Sequence, residues 1–516
     1  MTVLSPSEMD PTTSSALTEV LAAYSKEYGG IQPDYKVLNR PDGPFLVFEF
    51  ALPGERHFRI HNAAIDRLSE QNIFRYRSSV GRRKIAPANR LQMPETRMLT
   101  KEISESLTID QHSFGDEFFN RYTASVTDFE QVVTARSNYL LYGRRGAGKS
   151  SLLAYAMHVA KRNGDPFSWV AMQAFARGRD IGVVAEVCAE ILNGISDKRN
   201  FGEEIASIAK SLDDLAERSE RDDISRSLDR EMLKIRRVIS RIATQEKPFT
   251  IFLDDLHVVA QELQPHVLGY IYKFSRGNNC YIKASGIDQF SRAWDNELQT
   301  GLQVPGDAVQ LHLDRNLTQP QKSKEHIVGI LDSHAQFCGL PDISYLSGDD
   351  VLSRLVLVAA GVPRDAMSLF SKAISKASAK SQRRVSLTSV NIAASDMAEE
   401  KLKEIDVDSG GTTLELRGML EEVIEFCVKR NRKNAFLMRS DYGNLRFNLV
   451  QKLVALRVVH ILNEGVTPGR AGERFIALML DYGFYFGLRA ARSVELIPAK
   501  PVELSAKELR FLPRFE

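Results

Sequence analysis

Five short apolar runs punctuate the middle of the chain: "SNYLLYG" (137–143), "FSWVAMQ" (167–173), "FTIFLDD" (249–255), "CYIKASG" (280–286) and "AVQLHLD" (308–314). Each has the length and continuity of a strand buried on both faces, and between them apolar residues return at helical spacing. That alternation predicts a parallel α/β sheet over 113–318. The helix after the first run, "GKSSLLAYAMHVAKRNG", ends on Gly164 with Lys161 and Arg162 in its last turn, the charges and glycine that a helix C-terminus favours. A charged insertion over 196–247 interrupts the alternation. Within it Ile224, Leu228, Met232, Ile235, Ile239 and Ile242 recur at steps of four and three, marking one apolar face of a single long helix. Packing on its own domain is the ordinary reading of such a face, and a coiled-coil or partner contact the minority one.

On either side the pattern changes. Residues 1–15, polar and rich in Ser, Thr and Pro, read as a flexible tail. Residues 16–112 hold helical and strand-like pieces, "SALTEVLAAYSKEY", "PFLVFEFAL" and "HFRIHNAAIDRLSEQ", and read as an α+β accessory domain. Inside it, "FRYRSSVGRRKIAPANR" carries Arg75, Arg77, Arg82, Arg83, Lys84 and Arg90, with Phe74 and Tyr76 interleaved and no acid. That composition fits a strand or loop that tracks phosphates; it equally fits a solvated basic face or a surface for an acidic protein. Past the sheet, 319–408 reads as helical, 409–500 as two or three helices followed by an irregular segment, and 501–516 as a tail. In "KRNRKNAFLMRSDYGNLRF", Lys429, Arg430, Arg432, Lys433, Arg439 and Arg446 face the single acid Asp441, an electrostatic footprint for DNA or a structural or docking surface.

Composition narrows the class. A chain of 516 residues exceeds one ordinary core, and 43% hydrophobic with 26% charged residues is globular rather than disordered or fibrous. The longest apolar stretch, "LVLVAAGV", is too short to span a bilayer, and the polar start lacks a signal-peptide core, so a cytoplasmic location is expected. Cys188, Cys280, Cys338 and Cys427 are scattered, as core cysteines of a reducing compartment would be. A net charge of +2 leaves any nucleic-acid argument to local clusters.

The first apolar run ends in chemistry. Gly143, Gly148, Lys149 and Ser150 satisfy G-x-x-x-x-G-K-[ST], with a strand before and an amphipathic helix after. In such a loop, successive N–H groups from Gly143, Arg144, Arg145, Gly146, Ala147, Gly148, Lys149, Ser150 and Ser151 surround the phosphates of ATP, at a helix N-terminus that favours negative charge. Lys149 would reach the β- and γ-phosphates and Ser150 would ligate Mg²⁺. "FTIFLDD" places Asp254 and Asp255 at the carboxyl end of a buried strand, where α/β sheets hold their ligands. Asp254 is assigned to the metal and Asp255 to the attacking water. Ser285, at the end of "CYIKASG", is a polar group placed between these two sites, within reach of the γ-phosphate or the water. Arg364, in "GVPRDAMSLFSKAI", stands at a helix start and can link nucleotide state to the angle of a helical lid. A surface arginine after a turn is the plain alternative.

The order of these motifs, with "LDRNL" before a helix, resembles AAA+ ATPases of the origin-recognition-complex-like clade. The end of the chain, "LRFNLVQKLVALRVVHILNEGVTPGRAGERFIALMLDYGFYFGLR", is similar to that of bacterial ATPases labelled origin-recognition-like, some associated with phage defence. The resemblance runs from about Phe114 to Arg492. It implies a P-loop sheet with a helical lid, a winged-helix-like domain over 409–500, Ser285 as sensor one, Arg364 as sensor two, assembly into oligomers and engagement of DNA. It does not cover the amino-terminal segment. One departure stands out. Such enzymes usually carry Asp-Glu where this chain has Asp254-Asp255 followed by Leu256, closer to the signal-transducing STAND ATPases, which implies slow, switch-like turnover. Arg276 and Arg292 are candidates for a trans arginine finger by position only. Two functional classes follow: a DNA-engaging ATPase, and an ATP/ADP switch that assembles with an effector protein.

Overall fold

The computed structural model describes residues 3–85, 87–108, 115–124, 128–178, 180–217, 221–313, 317–408, 413–441, 443–467, 473–486 and 494–516. Asp314 to Asn316 of "LDRNL", Ile224 as a side chain, and the boundary expected at 112/113 lie outside them.

A short β1 (Val3–Leu4), β2 (Asp34–Arg40), β3 (Gly43–Phe50) and β4 (Ser78–Arg82) form an amino-terminal sheet in the order β1-β2-β3-β4. The central sheet comprises β5 (Tyr139–Tyr142), β6 (Phe167–Ala171), β7 (Phe249–Asp254), β8 (Cys280–Gly286) and, after a small hairpin of β9 (Trp294–Asp295) and β10 (Thr300–Gly301), β11 (Val309–His312). Its order is β11-β5-β8-β7-β6, all parallel. All five apolar runs are therefore strands of one sheet. Their continuous hydrophobicity has a simple cause: helices cover both faces, so Phe249, Ile251, Phe252 and Leu253 are all buried.

The charged insertion is two helices, Gly202–Ala216 and Arg221–Ile242. Leu228, Met232, Ile235, Ile239 and Ile242 sit in the same core as the helix Gly182–Asn193, so the long apolar face is spent on its own domain.

Within the flexible tail expected over 1–15, residues 3–15 are built into the fold. Val3 and Leu4 pair with Leu38 and Val37 respectively, and a helix begins at Pro11, where the Asp10 carboxylate accepts from the Thr12 and Thr13 N–H groups. The accessory segment shares a hydrophobic core with the helical lid of Pro320–Phe337, Asp349–Val358, Pro363–Ala379 and Leu387–Asp408. Tyr28 donates to the Cys338 carbonyl at 3.1 Å, and Arg90 to that of Tyr345 at 2.8 Å.

Beyond the lid, the helices Thr413–Ile424 and Leu445–Ala455 pack with β12 (Ala435–Arg439), β13 (Val459–Val466), β14 (Phe475–Leu480) and β15 (Arg514–Phe515), ordered β13-β14-β12-β15. The irregular segment expected here is in fact an antiparallel pair, β13 with β14. The expected tail over 501–516 supplies β15, parallel to β12, with Leu509, Leu512 and Phe515 buried.

Candidate nucleotide site

The register of the central sheet brings the chemistry to one edge. Tyr142, the last residue of β5, lies beside Gly286 of β8 and His312 of β11, and Ala171 lies beside Asp254. The loop after β5 and the last residues of β7 and β8 therefore open onto the same side. There a cavity of about 1210 Å³ is lined by 145–152, Asp254, Asp255, His257 and Arg364.

The loop turns through Gly146 (φ +78°) and Gly148 (φ +97°), a region side chains rarely enter, and the helix Lys149–Asn163 follows. Lys149 is buried, and its ammonium donates to the carbonyls of Gly143 at 2.9 Å and Arg144 at 3.1 Å. The Ser150 hydroxyl donates to Asp254 Oδ1 at 3.0 Å, and the Ser285 hydroxyl to the same oxygen at 2.7 Å. Ser285 also accepts the Asp255 N–H at 2.8 Å. Its hydroxyl is thus committed to aiming the two aspartates, rather than standing open toward a phosphate.

Burial, then the charge of Asp255, pushes the Asp254 carboxyl up to about 6, against the hydrogen bonds of both serines. A buried carboxylate that two hydroxyls and a lysine only partly compensate suits a divalent cation. Ser150 and Asp254 are an oxygen donor set of the type Mg²⁺ takes.

Asp255 has φ +62° and ψ +45°. The left-handed region favours aspartate among charged side chains, so Asp255 suits its backbone. Gln173 donates to Asp255 Oδ2 at 2.7 Å, and His257 Nδ1 lies 3.8 Å from Oδ1. Burial lowers the His257 imidazole to about 4, so it is neutral at ordinary pH.

The lid lies directly on the loop. The Arg364 N–H faces the Gly146 carbonyl at 3.4 Å, and a Cβ on Gly146 would come within 2.8 Å of Arg364 Cβ. Arg364 is therefore at the cavity. The Arg144 side chain does not line the cavity but runs to the lid and the carboxyl-terminal sheet. Gly143 likewise lies outside the lining and takes part through its carbonyl. Arg292 is paired with Asp295 at 3.0 Å, and Arg276 is exposed at the end of the helix Gln264–Ser275.

Gln173, His257 and Lys452 are site residues that no motif announces. Gln173 could be found only by pairing β6 with β7, and Lys452 lines the cavity from the carboxyl-terminal helix Leu445–Ala455.

The two basic clusters fare differently. Arg83 bonds Glu95 and Asp34, Arg75 bonds the Leu68 carbonyl, Arg90 bonds Tyr345, and Phe74 is fully buried, so three of the six basic residues of the 75–90 cluster hold the fold together, while Arg82 and Lys84 are exposed. In the second cluster Lys429, Arg432 and Arg439 are exposed, while Arg430, Arg446 and Lys433 meet Glu425, Glu422 and Glu495.

Residues 126–273 match the family model described as AAA ATPase domain. No curated protein matches the chain. Among solved structures the chain is similar to the ORC1 protein of Aeropyrum pernix in complex with DNA, at 16% identity and TM-score 0.37, covering 69% of this chain and 87% of that one. It is similar as well to Drosophila ORC bound to DNA, at 11% identity and TM-score 0.35, covering 82% and 97%. A Walker-type ATPase of Pyrococcus abyssi matches at 12% identity and TM-score 0.38, covering 78% and 97%.

Proposed function

We propose that this chain is a Mg²⁺-dependent ATP hydrolase of the AAA+ type, working as an oligomeric, DNA-engaging regulator in the cytoplasm. The observation that carries the ATPase reading is the hydrogen-bonded set Ser150–Asp254–Ser285–Asp255, at the mouth of a glycine loop whose lysine is buried within bonding distance of the loop's own carbonyls. Lys149 would exchange those carbonyls for phosphate oxygens, a stronger, charge-assisted pairing. Mg²⁺, when bound, would neutralise phosphate charge. Asp255, aimed by Ser285 and Gln173, would orient the attacking water, and Arg364 would meet the γ-phosphate from the lid.

DNA engagement rests on the exposed Lys429, Arg432 and Arg439, on a carboxyl-terminal domain with the winged-helix-like order of helix, strand, helix and hairpin, and on the sequence resemblance. Among the described residues no helix is long and apolar enough to cross a membrane. A place in phage defence or DNA maintenance is supported by the resemblance alone.

A second reading, a slow ATP/ADP switch that assembles with an effector protein, is favoured by Asp255. Its carboxylate is shorter than glutamate and already holds Gln173, which fits slow turnover. ATP hydrolysis and oligomeric state, measured for the wild type and Lys149→Ala with and without duplex DNA, test both. Normal ATP binding and hydrolysis by Lys149→Ala would refute the central claim; tight ADP retention without any response to DNA would favour the switch.

A further inference from the structure

Arg144 is 5% exposed, and its guanidinium leaves the phosphate loop for two other parts of the molecule. It donates to the Ala360 carbonyl of the lid at 3.3 Å and to His460 Nδ1 of β13 at 3.4 Å. Because a guanidinium cannot accept, Nδ1 must be the lone-pair nitrogen, and His460 Nε2–H then donates to Asp481 Oδ2 at 2.8 Å.

Behind His460 lies a compact set of buried charges. Lys401 bonds Asp481 Oδ2 at 2.6 Å and lies 3.3 Å from Asp365 Oδ2, while Arg457 pairs with Asp365 Oδ1. Asp365 is in the first turn of the lid helix, next to Arg364. Two acids and two bases here compensate one another between two helices of the lid and the carboxyl-terminal domain. Removing any one would strand a buried charge, so this group is a rigid mount. The two long bonds from Arg144 are weaker, since hydrogen bonds lose strength toward 3.5 Å. They cross between the ATPase core and everything mounted behind the lid.

We propose that the Arg144–His460 contact is a breakable joint through which phosphate entry into the loop loosens the lid and carboxyl-terminal domain from the ATPase core. This rests on the ATP reading of the loop. Lys149 holds the backbone carbonyl of Arg144 at 3.1 Å. A phosphate that draws the ammonium away removes that bond and lets the loop segment carrying Arg144 rearrange. The joint is the contact nearest such a shift, because one residue supplies both the carbonyl that Lys149 holds and the guanidinium that meets His460. Lys452 and Leu456, which line the same cavity from the carboxyl-terminal domain, move with it. By linkage the coupling is reciprocal: a docked domain opposes phosphate entry as much as phosphate opposes docking. His460 is then a positioning residue that touches no nucleotide.

The test uses the full chain with three variants, His460→Leu, His460→Asn and His460→Gln. Gln keeps one acceptor and one donor at nearly the reach of the imidazole; Asn has the same groups but is too short to span Arg144 and Asp481. Equilibrium binding of a non-hydrolysable ATP analogue with Mg²⁺ is read together with amide hydrogen exchange over 459–466 and 475–480. In the wild type, the analogue accelerates exchange in these strands. Leu and Asn variants exchange fast without nucleotide and bind the analogue roughly fivefold or more tightly, as a coupling of ordinary size requires, while Gln behaves as wild type. If Leu does not fold, Asn carries the same prediction. Wild-type exchange that ignores the analogue, or wild-type affinity in Asn, overturns the joint. Failure of the wild type to bind the analogue at all overturns the ATP reading instead, so the two failures are distinguishable.

Discussion

Gly146 and Gly148 both need φ above +75°, yet their surroundings differ, and the pair separates two forces within one loop. Either residue changed to Ala costs about 1–2 kcal/mol for a side chain held in the left-handed region. At Gly146 the new methyl would also stand 2.8 Å from Arg364 Cβ, 3.2 Å from Val362 Cγ1 and 3.3 Å from Arg364 Cδ. Arg364 Cβ is held directly by the backbone and cannot swing aside, so overpacking adds a further ~1–3 kcal/mol. At Gly148 the methyl meets no atom within 4 Å and opens on the cavity. Gly146→Ala should therefore lower thermal stability clearly more than Gly148→Ala and loosen the lid. Gly148→Ala should keep most of the stability while losing ATP affinity, because its methyl enters the space the phosphates need. Differential scanning calorimetry without nucleotide, paired with equilibrium ATP binding, reads both effects. Equal melting temperatures for the two variants would show that the lid does not rest on the loop as the geometry states.

Ser285→Ala removes one donor to Asp254 and the acceptor of the Asp255 N–H; ATP turnover should fall by one to two orders of magnitude, in line with the loss of a positioned catalytic group, while ATP binding changes little. Charge reversal at Lys429, Arg432 and Arg439 together should weaken duplex DNA binding and flatten its salt dependence, whereas Arg83→Ala should chiefly destabilise the chain by leaving the fully buried Glu95 without its partner; DNA binding that responds to the second and not the first would reverse the assignment of the two clusters. His57 is buried between the amino-terminal helix and the lid, and burial lowers its imidazole from 6.5 to about 4. The unfolded chain then binds the proton first, so stability present above pH 6.5 is lost as pH falls toward 4, by up to about 3 kcal/mol for the 2.5-unit difference; the stability of His57→Gln, followed by chemical denaturation over that range, should lack this part of the slope.

What the sequence determined by itself was whatever depends on near neighbours. Continuous apolar runs specified β5, β6, β7, β8 and β11, because a strand buried on both faces leaves no room for polar alternation. The spacing of Gly143, Gly148, Lys149 and Ser150 specified the loop, since its turns are made within a few residues. The step of three and four from Leu228 to Ile242 specified a helix and its buried face. The tertiary structure alone decided the partners of individual charges. Arg75, Arg83 and Arg90 are indistinguishable from a phosphate-binding cluster until β4 is laid beside β3 and the lid arrives with Tyr345. Arg144 looks like one more loop residue until His460, 316 positions away, is folded against it. The left-handed backbone of Asp255, φ +62°, is likewise invisible in "FLDD" itself. Short-range order is written in patterns that any window of residues displays, but a buried charge is settled by whichever opposite charge or acceptor the fold delivers, and that delivery is a property of the whole chain.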